Sequence, residues 1–149
     1  MLHKPFLIYL VDDDKEDRMF FREALDEIDI PVIIKDFDNG VSLMEDLLDA
    51  ENILPDAIFL DLNMPLMNGE ECIEDIRTEA QFSKIPIIIY STYVDETTAY
   101  RLQMKGANWY LIKPESFDKL KKLLAKSLAY IHQKQTNESD STSFVITTV

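Results

Sequence analysis

The sequence has a single cysteine among 149 residues and no hydrophobic run long enough to cross a membrane. The one cysteine, Cys72, excludes an intramolecular disulfide and a cysteine-based zinc cluster, and its place in a helical pattern favours a small core residue. The apolar run at residues 6–11 is too short to span a bilayer and leads directly into three aspartates. Neither an export signal nor a membrane anchor is indicated, so we expect a reduced, cytoplasmic setting.

Positive charge is also scarce. Lysine and arginine number 15 against 28 aspartates and glutamates, which gives a formal net charge of −13. This balance argues against nucleic acid or an anionic membrane as a direct partner, because both attract clustered positive charge. It is compatible with a cation site. Apolar residues make up 46% of the chain and aromatics 10%, a composition that predicts one folded domain.

Short apolar runs alternate with helical patterns along most of the chain. The predicted strands are Phe6–Val11, Val32–Phe37, Ala57–Leu60, residues 87–90 and Trp109–Ile112. This alternation predicts an α/β fold, with five parallel strands, helices on both faces of the sheet and right-handed crossovers.

The intervening helices are indicated by apolar side chains at helical spacing. The first two predicted stripes are Phe21, Ala24, Leu25 and Ile28, and then Val41, Met44, Leu47 and Leu48. Asp14 is a natural N-cap for the first helix. Gly106 is placed to end the fourth helix, at about residues 95–105.

The last part of the chain differs in composition from the rest. Residues 1–132 form the predicted domain, and residues 133–149 are expected to be a flexible polar tail. The final six residues, F-V-I-T-T-V, are too apolar for a simple solvated end. They could pair as a strand with this or another chain, but we expect disorder.

Polar side chains stand where four of the predicted strands end. Asp12 and Asp13 follow the first strand and Asp61 the third, while Ser91 and Lys113 follow the fourth and fifth. The carboxyl ends of parallel strands lie on one edge of a sheet, where open α/β sheets bind their ligands. We therefore expect three carboxylates, one hydroxyl and one ammonium to meet there.

Three carboxylates so close repel one another, by about 4 kcal/mol for each pair at 4 Å and an effective dielectric of 20. Either their pKa values rise or a cation joins them, and an all-oxygen site suits Mg²⁺. Lys113 and Ser91 could contact phosphoryl oxygens while Asp61 attacks phosphorus. Taken singly, each residue has an ordinary explanation as a cap, a turn or a surface charge. Their joint occurrence at four strand ends favours the site.

Four segments carry a resemblance to a known family. They are L-V-D-D-D at residues 10–14, L-D-L-N-M-P at 60–65 with N-G at 68–69, I-I-I-Y-S-T at 87–92 and G-A-N-W-Y-L-I-K-P at 106–114. With these segments, the chain closely resembles the receiver domain of two-component response regulators from about residue 6 to residue 131. The resemblance implies a doubly wound, flavodoxin-like sheet in the order 2-1-3-4-5.

The resemblance also implies roles for the residues at the sheet edge. Asp61 would be the phosphoacceptor, and Ser91 and Lys113 would bind the phosphoryl group. Mg²⁺ would be held by Asp13, Asp61 and the backbone carbonyl of Asn63, with Asp12 acting largely through water. Ser91 and Tyr110 would form the switch: Ser91 moves toward the phosphoryl group, and Tyr110 then turns inward. The Lys113–Pro114 bond is expected to be cis.

Two residues depart from the usual family pattern. Thr92 stands where a small residue is common, and it could restrict access to the phosphorylated site. Tyr93 follows, where many receivers have a polar residue, and it could shield an acyl phosphate from water. Trp109, Tyr110, Tyr93 and the fourth helix would form the surface that changes on phosphorylation, although Trp109 could equally be a core residue.

The implied function is a non-enzymatic phosphoacceptor switch. Its partners would be a histidine kinase or histidine phosphotransfer protein and an unknown downstream protein, with a homodimer left open. Only 18 residues follow Ile131, so we expect a single-domain regulator akin to chemotaxis regulators or to those paired with phytochrome kinases.

The same residues suggest two alternative functions. One is a Mg²⁺-dependent phosphohydrolase with an aspartyl-phosphate intermediate, but Asn63 stands where such enzymes usually have a second acid. The other is a scaffold that is never phosphorylated. The intact set of acids, hydroxyl and lysine argues against it.

Overall fold

The computed structural model describes residues 4–136 and 142–148, which form a parallel sheet with helices on both faces. In chain order the elements are β1 Phe6–Val11, α1 Lys15–Asp26, β2 Val32–Phe37, α2 Gly40–Leu48, β3 Ala57–Leu60, α3 Gly69–Thr78, a 3-10 turn Ala80–Phe82, β4 Ile87–Ser91, α4 Glu96–Lys105, β5 Trp109–Ile112, α5 Phe117–Gln135 and β6 Val145–Ile146. The strands lie in the order β2-β1-β3-β4-β5-β6, and all pairs are parallel. The flavodoxin-like α/β fold expected from the sequence is thereby confirmed.

The prediction of five strands was incomplete, because β6 adds a sixth at the outer edge of β5. Tyr110 is opposite Val145, and Leu111 is opposite Ile146. The strand is only two residues long and is preceded by a polar stretch, so alternation of apolar residues gave too weak a signal to prefer it to disorder. The predicted tail also begins later than expected, because α5 continues to Gln135. Residues 137–141 and 149 of that tail lie outside the described residues.

The sheet separates two hydrophobic layers. Side chains that alternate along each strand point to α2, α3 and α4 on one face, and to α1 and α5 on the other. Strands β3 and β4 are buried along their full length. This burial explains why their sequences are continuous apolar runs rather than alternating apolar and polar residues. Cys72 belongs to the first layer and is fully buried, as predicted.

Two predicted helix stripes need correction. In α2, Val41 and Leu48 are exposed, while Leu43 is fully buried together with Met44 and Leu47. Asn39 caps this helix by accepting a hydrogen bond from the Ser42 amide, and this start turns Leu43 rather than Val41 toward the sheet. Ile28 lies beyond the last residue of α1 and is only half-buried.

Two helix ends match their predicted chemistry. The side chain of Asp14 accepts hydrogen bonds from the amides of Glu16 and Asp17 at the start of α1. Gly106 ends α4 with a positive φ of 119°, and an added Cβ there would lie 2.7 Å from Cγ of Arg77. Both the conformation and the close approach therefore require glycine. Within the described ranges, none of the helices combines the length and apolarity needed to cross a bilayer.

Candidate functional site

Three carboxylates meet at the carboxyl edge of the sheet. Asp12 and Asp13 follow β1 and Asp61 follows β3, and one oxygen from each lies within 4.8 Å of the other two. The pairing of these strands causes the meeting, because the Asp61 amide donates to the carbonyl of Val11 at 2.9 Å. Asp12 is fully buried and Asp61 is 6% exposed, whereas Asp13 faces solvent. The predicted cluster of acids is therefore present in the structure.

Lys113 reaches into this cluster from the end of β5. Its Nζ lies 2.7 Å from Oδ2 of Asp12, 2.8 Å from Oδ2 of Asp17 and 3.7 Å from Oδ2 of Asp61. The Nζ also stands 5.2 Å from the centroid of the Tyr90 ring, a cation–π contact. One ammonium thus neutralises part of the charge of several buried or half-buried acids.

Asp17 contacts Lys113 and was not identified from the sequence. It lies in the first turn of α1, and its hydrogen bond joins residues 96 positions apart. An acid in a first helical turn has an ordinary role near the positive end of the helix dipole, so its presence alone gave no signal. Its place five residues after Asp12, on the helix that starts at the sheet edge, was the available clue.

Burial dominates the electrostatics of the cluster. It raises the pKa of Asp61 from 3.8 to about 6, against the opposing effect of the Lys113 ammonium, and the charges of Asp12 and Asp13 add to the rise. Burial raises the pKa of Asp12 as well, and Lys113 partly offsets this. For Lys113 itself, burial would lower the pKa, but the surrounding carboxylates outweigh burial and raise it. The site thus holds an excess of negative charge that a cation would stabilise.

Ser91 and Tyr110 lie on the neighbouring strands β4 and β5. Ser91 closes β4 and is 2% exposed, and its carbonyl accepts a hydrogen bond of 2.8 Å from the Lys113 amide. Tyr110 is fully buried, and its hydroxyl donates to the carbonyl of Tyr93. Burial raises the pKa of Tyr110, and the neighbouring Ser91 side chain partly offsets the rise. The Tyr110 side chain therefore points inward, and its movement on phosphorylation stays a prediction.

A cleft of about 550 Å³ opens beside the acids. Its walls come from the loops that follow β1, β3 and β4 and from α3 and α4, and they include Asp13, Asn63, Ser91, Tyr93 and Arg101. Arg101 is held by Glu70 through a hydrogen bond of 2.9 Å from Nε. The cleft therefore opens at the sheet edge where Asp13 and Ser91 lie.

Thr92, Tyr93 and Trp109 differ in their exposure to solvent. Thr92 and Tyr93 are both exposed, and the Tyr93 side chain lines the cleft. Trp109 is 5% exposed and packs against Tyr130 on the α5 side, with ring centroids 5.6 Å apart. It is therefore a core residue and lies on the face of the sheet opposite Tyr110.

Two backbone features of the site had been inferred from resemblance alone. The Lys113–Pro114 peptide bond is trans, so the prediction of a cis bond was wrong. Trans is the more stable form of a peptide bond before proline. The amide of Asn63 points to Oδ1 of Asp61 at 3.5 Å, while the role of its carbonyl as a metal ligand stays a prediction.

Comparison with known proteins agrees with this geometry. The family model described as "Response regulator receiver domain" matches residues 8–125. The chain belongs to this family. The receiver is 30% identical over 119 residues to "Hybrid signal transduction histidine kinase D" of Dictyostelium discoideum, covering 80% of this chain but only 7% of that protein. It is 27% identical over 124 residues to "Response regulator Rcp1" of Synechocystis sp., covering 80% of this chain and 84% of Rcp1.

Solved structures place the receiver among the same proteins. The Mn(2+)-bound form of Rcp1 matches with a TM-score of 0.75 at 25% identity, over 85% of this chain and 94% of that one. The phosphorylated cyanobacterial phytochrome response regulator RcpA matches with a TM-score of 0.76 over 93% of this chain and all of that one, and at 24% identity this likeness concerns the fold. The acidic cluster of the receiver and the Mn(2+)-bound relative both fit divalent metal binding.

Proposed function

We propose that this receiver is a phosphoacceptor switch that takes a phosphoryl group on Asp61 from a histidine kinase or a histidine phosphotransfer protein. The observation that carries the proposal is the position of Asp61. Its carboxylate lies at the open edge of the sheet, between two further acids and the ammonium of Lys113. Relatives that are themselves named histidine kinases support a donor of this class.

The transfer uses one oxygen of Asp61 as the nucleophile. That oxygen forms a bond to phosphorus as the bond between phosphorus and the donor nitrogen breaks, and the electron pair of the broken bond stays on the donor imidazole. The product is an acyl phosphate on Asp61. Protonation of Asp61 would slow the reaction, because a neutral carboxylic acid is a much weaker nucleophile than a carboxylate. Burial raises the pKa of Asp61, and a bound cation would lower it and keep the carboxylate ionised.

The groups around Asp61 would neutralise the negative charge of the incoming phosphoryl group. Asp12, Asp13 and Asp61 would hold Mg²⁺, which when bound offsets negative charge on the phosphoryl oxygens. Lys113 would supply a further positive charge, and its side chain, which is 9% exposed, keeps that charge largely shielded from water. Ser91 closes β4 at the same edge and offers a hydroxyl donor to a phosphoryl oxygen.

The output of the switch would be a protein–protein contact. Ser91 and Tyr110 are on adjacent strands, with Ser91 opposite Ile112 and Ile89 opposite Tyr110. A shift of Ser91 toward a phosphoryl group would therefore change the position of Tyr110 and the shape of the surface around β5 and α4. The downstream protein would read that surface.

Phosphotransfer profiling tests the proposal. The histidine kinases of the source organism are phosphorylated with labelled ATP and then mixed with the receiver and Mg²⁺. At least one kinase should transfer its label within seconds, to the parent but not to Asp61→Asn. Asp118→Asn serves as the matched control, because that carboxylate is 83% exposed on α5. Equal labelling of Asp61→Asn and the parent would contradict the proposal.

The same preparation distinguishes a switch from a phosphohydrolase. A switch accepts about one phosphoryl group per chain from a small phosphodonor and releases it slowly. A phosphohydrolase would turn over a phosphomonoester many times with Asp61 as its nucleophile. Sustained, Asp61-dependent turnover of p-nitrophenyl phosphate would favour the enzyme.

A further inference from the structure

The C-terminal strand covers the outer edge of β5 beside Tyr110. An uncovered edge strand presents unpaired amides and carbonyls to solvent or to another protein. Here the Tyr110 amide donates to the carbonyl of Phe144 at 2.8 Å, and the parallel ladder continues through Val145 and Ile146. The final segment of the chain therefore occupies the backbone edge of the residue expected to act as the switch.

Contacts on both faces of the sheet hold this strand in place. On one face the Phe144 ring meets the Tyr110 ring edge-on, with centroids 6.4 Å apart. On the other face, Ile146 is 2% exposed and packs into the layer beneath α5. Lys126 of α5 donates to the carbonyl of Thr147 at 2.6 Å. The strand is thus anchored to α5 on one side and to Tyr110 on the other.

The Tyr110 side chain connects this strand to the site edge. Its hydroxyl donates to the carbonyl of Tyr93, two residues beyond Ser91, and its ring contacts Phe144. An outward turn of the ring would break the hydrogen bond to Tyr93 and change the contact with Phe144. The inward position of Tyr110 and the docked position of β6 therefore support each other.

We propose that β6 is an intramolecular clamp that holds Tyr110 inward and whose docking is coupled to occupancy of the Asp61 site. The coupling rests on the proposed phosphoacceptor function, whereas the clamp itself rests on the contacts of β6. A phosphoryl group that draws Ser91 toward Asp61 leaves room behind Ser91 for the inward Tyr110 ring. Occupancy of the Asp61 site and docking of β6 then both favour the state in which Tyr110 points inward. By thermodynamic linkage, a ligand at the Asp61 site strengthens β6 docking, and docked β6 raises the affinity for that ligand.

The small size of β6 makes it suitable as a regulated element. A strand of two residues contributes few ladder hydrogen bonds, so its local opening requires less free energy than unfolding of the central strands.

Full-length variants test the clamp without removing the segment. Phe144→Ala removes the ring that contacts Tyr110, and Ile146→Ser weakens the anchor beneath α5. Thr148→Ala is the control, because that side chain is exposed. Amide exchange at Tyr110 reports directly on the bond to Phe144, and the amide of Ile58, which donates to Pro86 at 3.0 Å, reports on the centre of the sheet.

The clamp predicts that Phe144→Ala and Ile146→Ser speed exchange of the Tyr110 amide about tenfold while sparing Ile58. Unchanged exchange at Tyr110 in both variants would overturn it. The coupling predicts that Mg²⁺ with beryllofluoride, a phosphoryl mimic, slows exchange at Tyr110 in the parent. It also predicts that both variants bind the mimic about fivefold more weakly than the parent and Thr148→Ala.

The two proposals fail in different ways. If the parent and the variants bind beryllofluoride equally well although Tyr110 exchanges faster in the variants, the coupling is wrong and the phosphoacceptor proposal stands. Faster exchange at Tyr110 when the mimic binds the parent would likewise overturn the coupling, because occupancy would then release the strand. If the parent does not bind beryllofluoride at all, the phosphoacceptor proposal is wrong and the coupling falls with it, while the exchange rates still decide whether β6 clamps Tyr110.

Discussion

Replacing Asp61 by asparagine should stabilise the metal-free receiver at neutral pH, although it removes the proposed phosphoacceptor. Asp61 is 6% exposed, and its nearest cation, Nζ of Lys113, stands 3.7 Å away and is shared with Asp12 and Asp17. The ionised carboxylate is therefore poorly compensated. An asparagine of the same shape carries no charge that burial could penalise.

The size and sign of the effect follow from the pKa of Asp61. Burial raises that pKa from 3.8 to about 6 in the folded chain. A group whose pKa rises on folding contributes stability below its unfolded pKa and loses that contribution as pH rises through the folded value. The rise from 3.8 to about 6 corresponds to about 3 kcal/mol, at 1.36 kcal/mol for each tenfold change in proton affinity. The parent should lose this amount, relative to Asp61→Asn, between about pH 4 and pH 7.

Urea unfolding of both proteins in the presence of a chelator measures the difference. The free energy of unfolding is determined at several pH values from 4 to 8 and compared at each one, so that other titrating groups largely cancel. The advantage of Asp61→Asn should grow by about 2–3 kcal/mol across this range and level off above pH 7. Excess Mg²⁺ should reduce the advantage, because the metal stabilises only the parent's full set of carboxylates. A difference that does not change with pH would refute the reasoning.

Three further substitutions address the metal, the lysine and the switch. Asp13→Asn should weaken Mg²⁺ binding about tenfold, because it removes an anionic ligand; calorimetric titration showing equal affinity would contradict this. Asp17→Asn should weaken Mg²⁺ binding about threefold, because Lys113 then competes more strongly for Asp12 and Asp61; the same titration should show Asp17→Glu close to the parent. Ser91→Ala should still accept a phosphoryl group but transmit it poorly, so beryllofluoride should change amide exchange across residues 90–112 in the parent and much less in this variant.

The positions of the acids could be predicted from the sequence, because the geometry of a parallel sheet leaves few other positions for residues that follow its strands. Once residues 6–11 and 57–60 are parallel neighbours, Asp12, Asp13 and Asp61 must follow them at one edge. The central strands were equally clear, since burial on both faces produces unbroken apolar runs. The same reasoning identified Lys113 and Ser91 at that edge.

The features that were missed depend on tertiary contacts between distant parts of the chain. The partnership of Asp17 with Lys113 spans 96 positions and leaves no local pattern. Strand β6 is too short for periodicity to reveal it, and it is stable only because β5 offers a free edge and α5 a surface for Ile146. The inward position of Tyr110 follows from both its hydroxyl contact and Phe144, neither of which a motif encodes.

Intact-mass measurement after treatment with acetyl phosphate tests the central claim most directly. With Mg²⁺ present, the parent should gain the mass of one phosphoryl group, and the gain should disappear in base or hydroxylamine, as expected for an acyl phosphate. The gain should be absent with chelator and absent in Asp61→Asn, a variant expected to be at least as stable as the parent at neutral pH. A full phosphoryl gain in Asp61→Asn would contradict the account, because another residue would then carry the phosphoryl group.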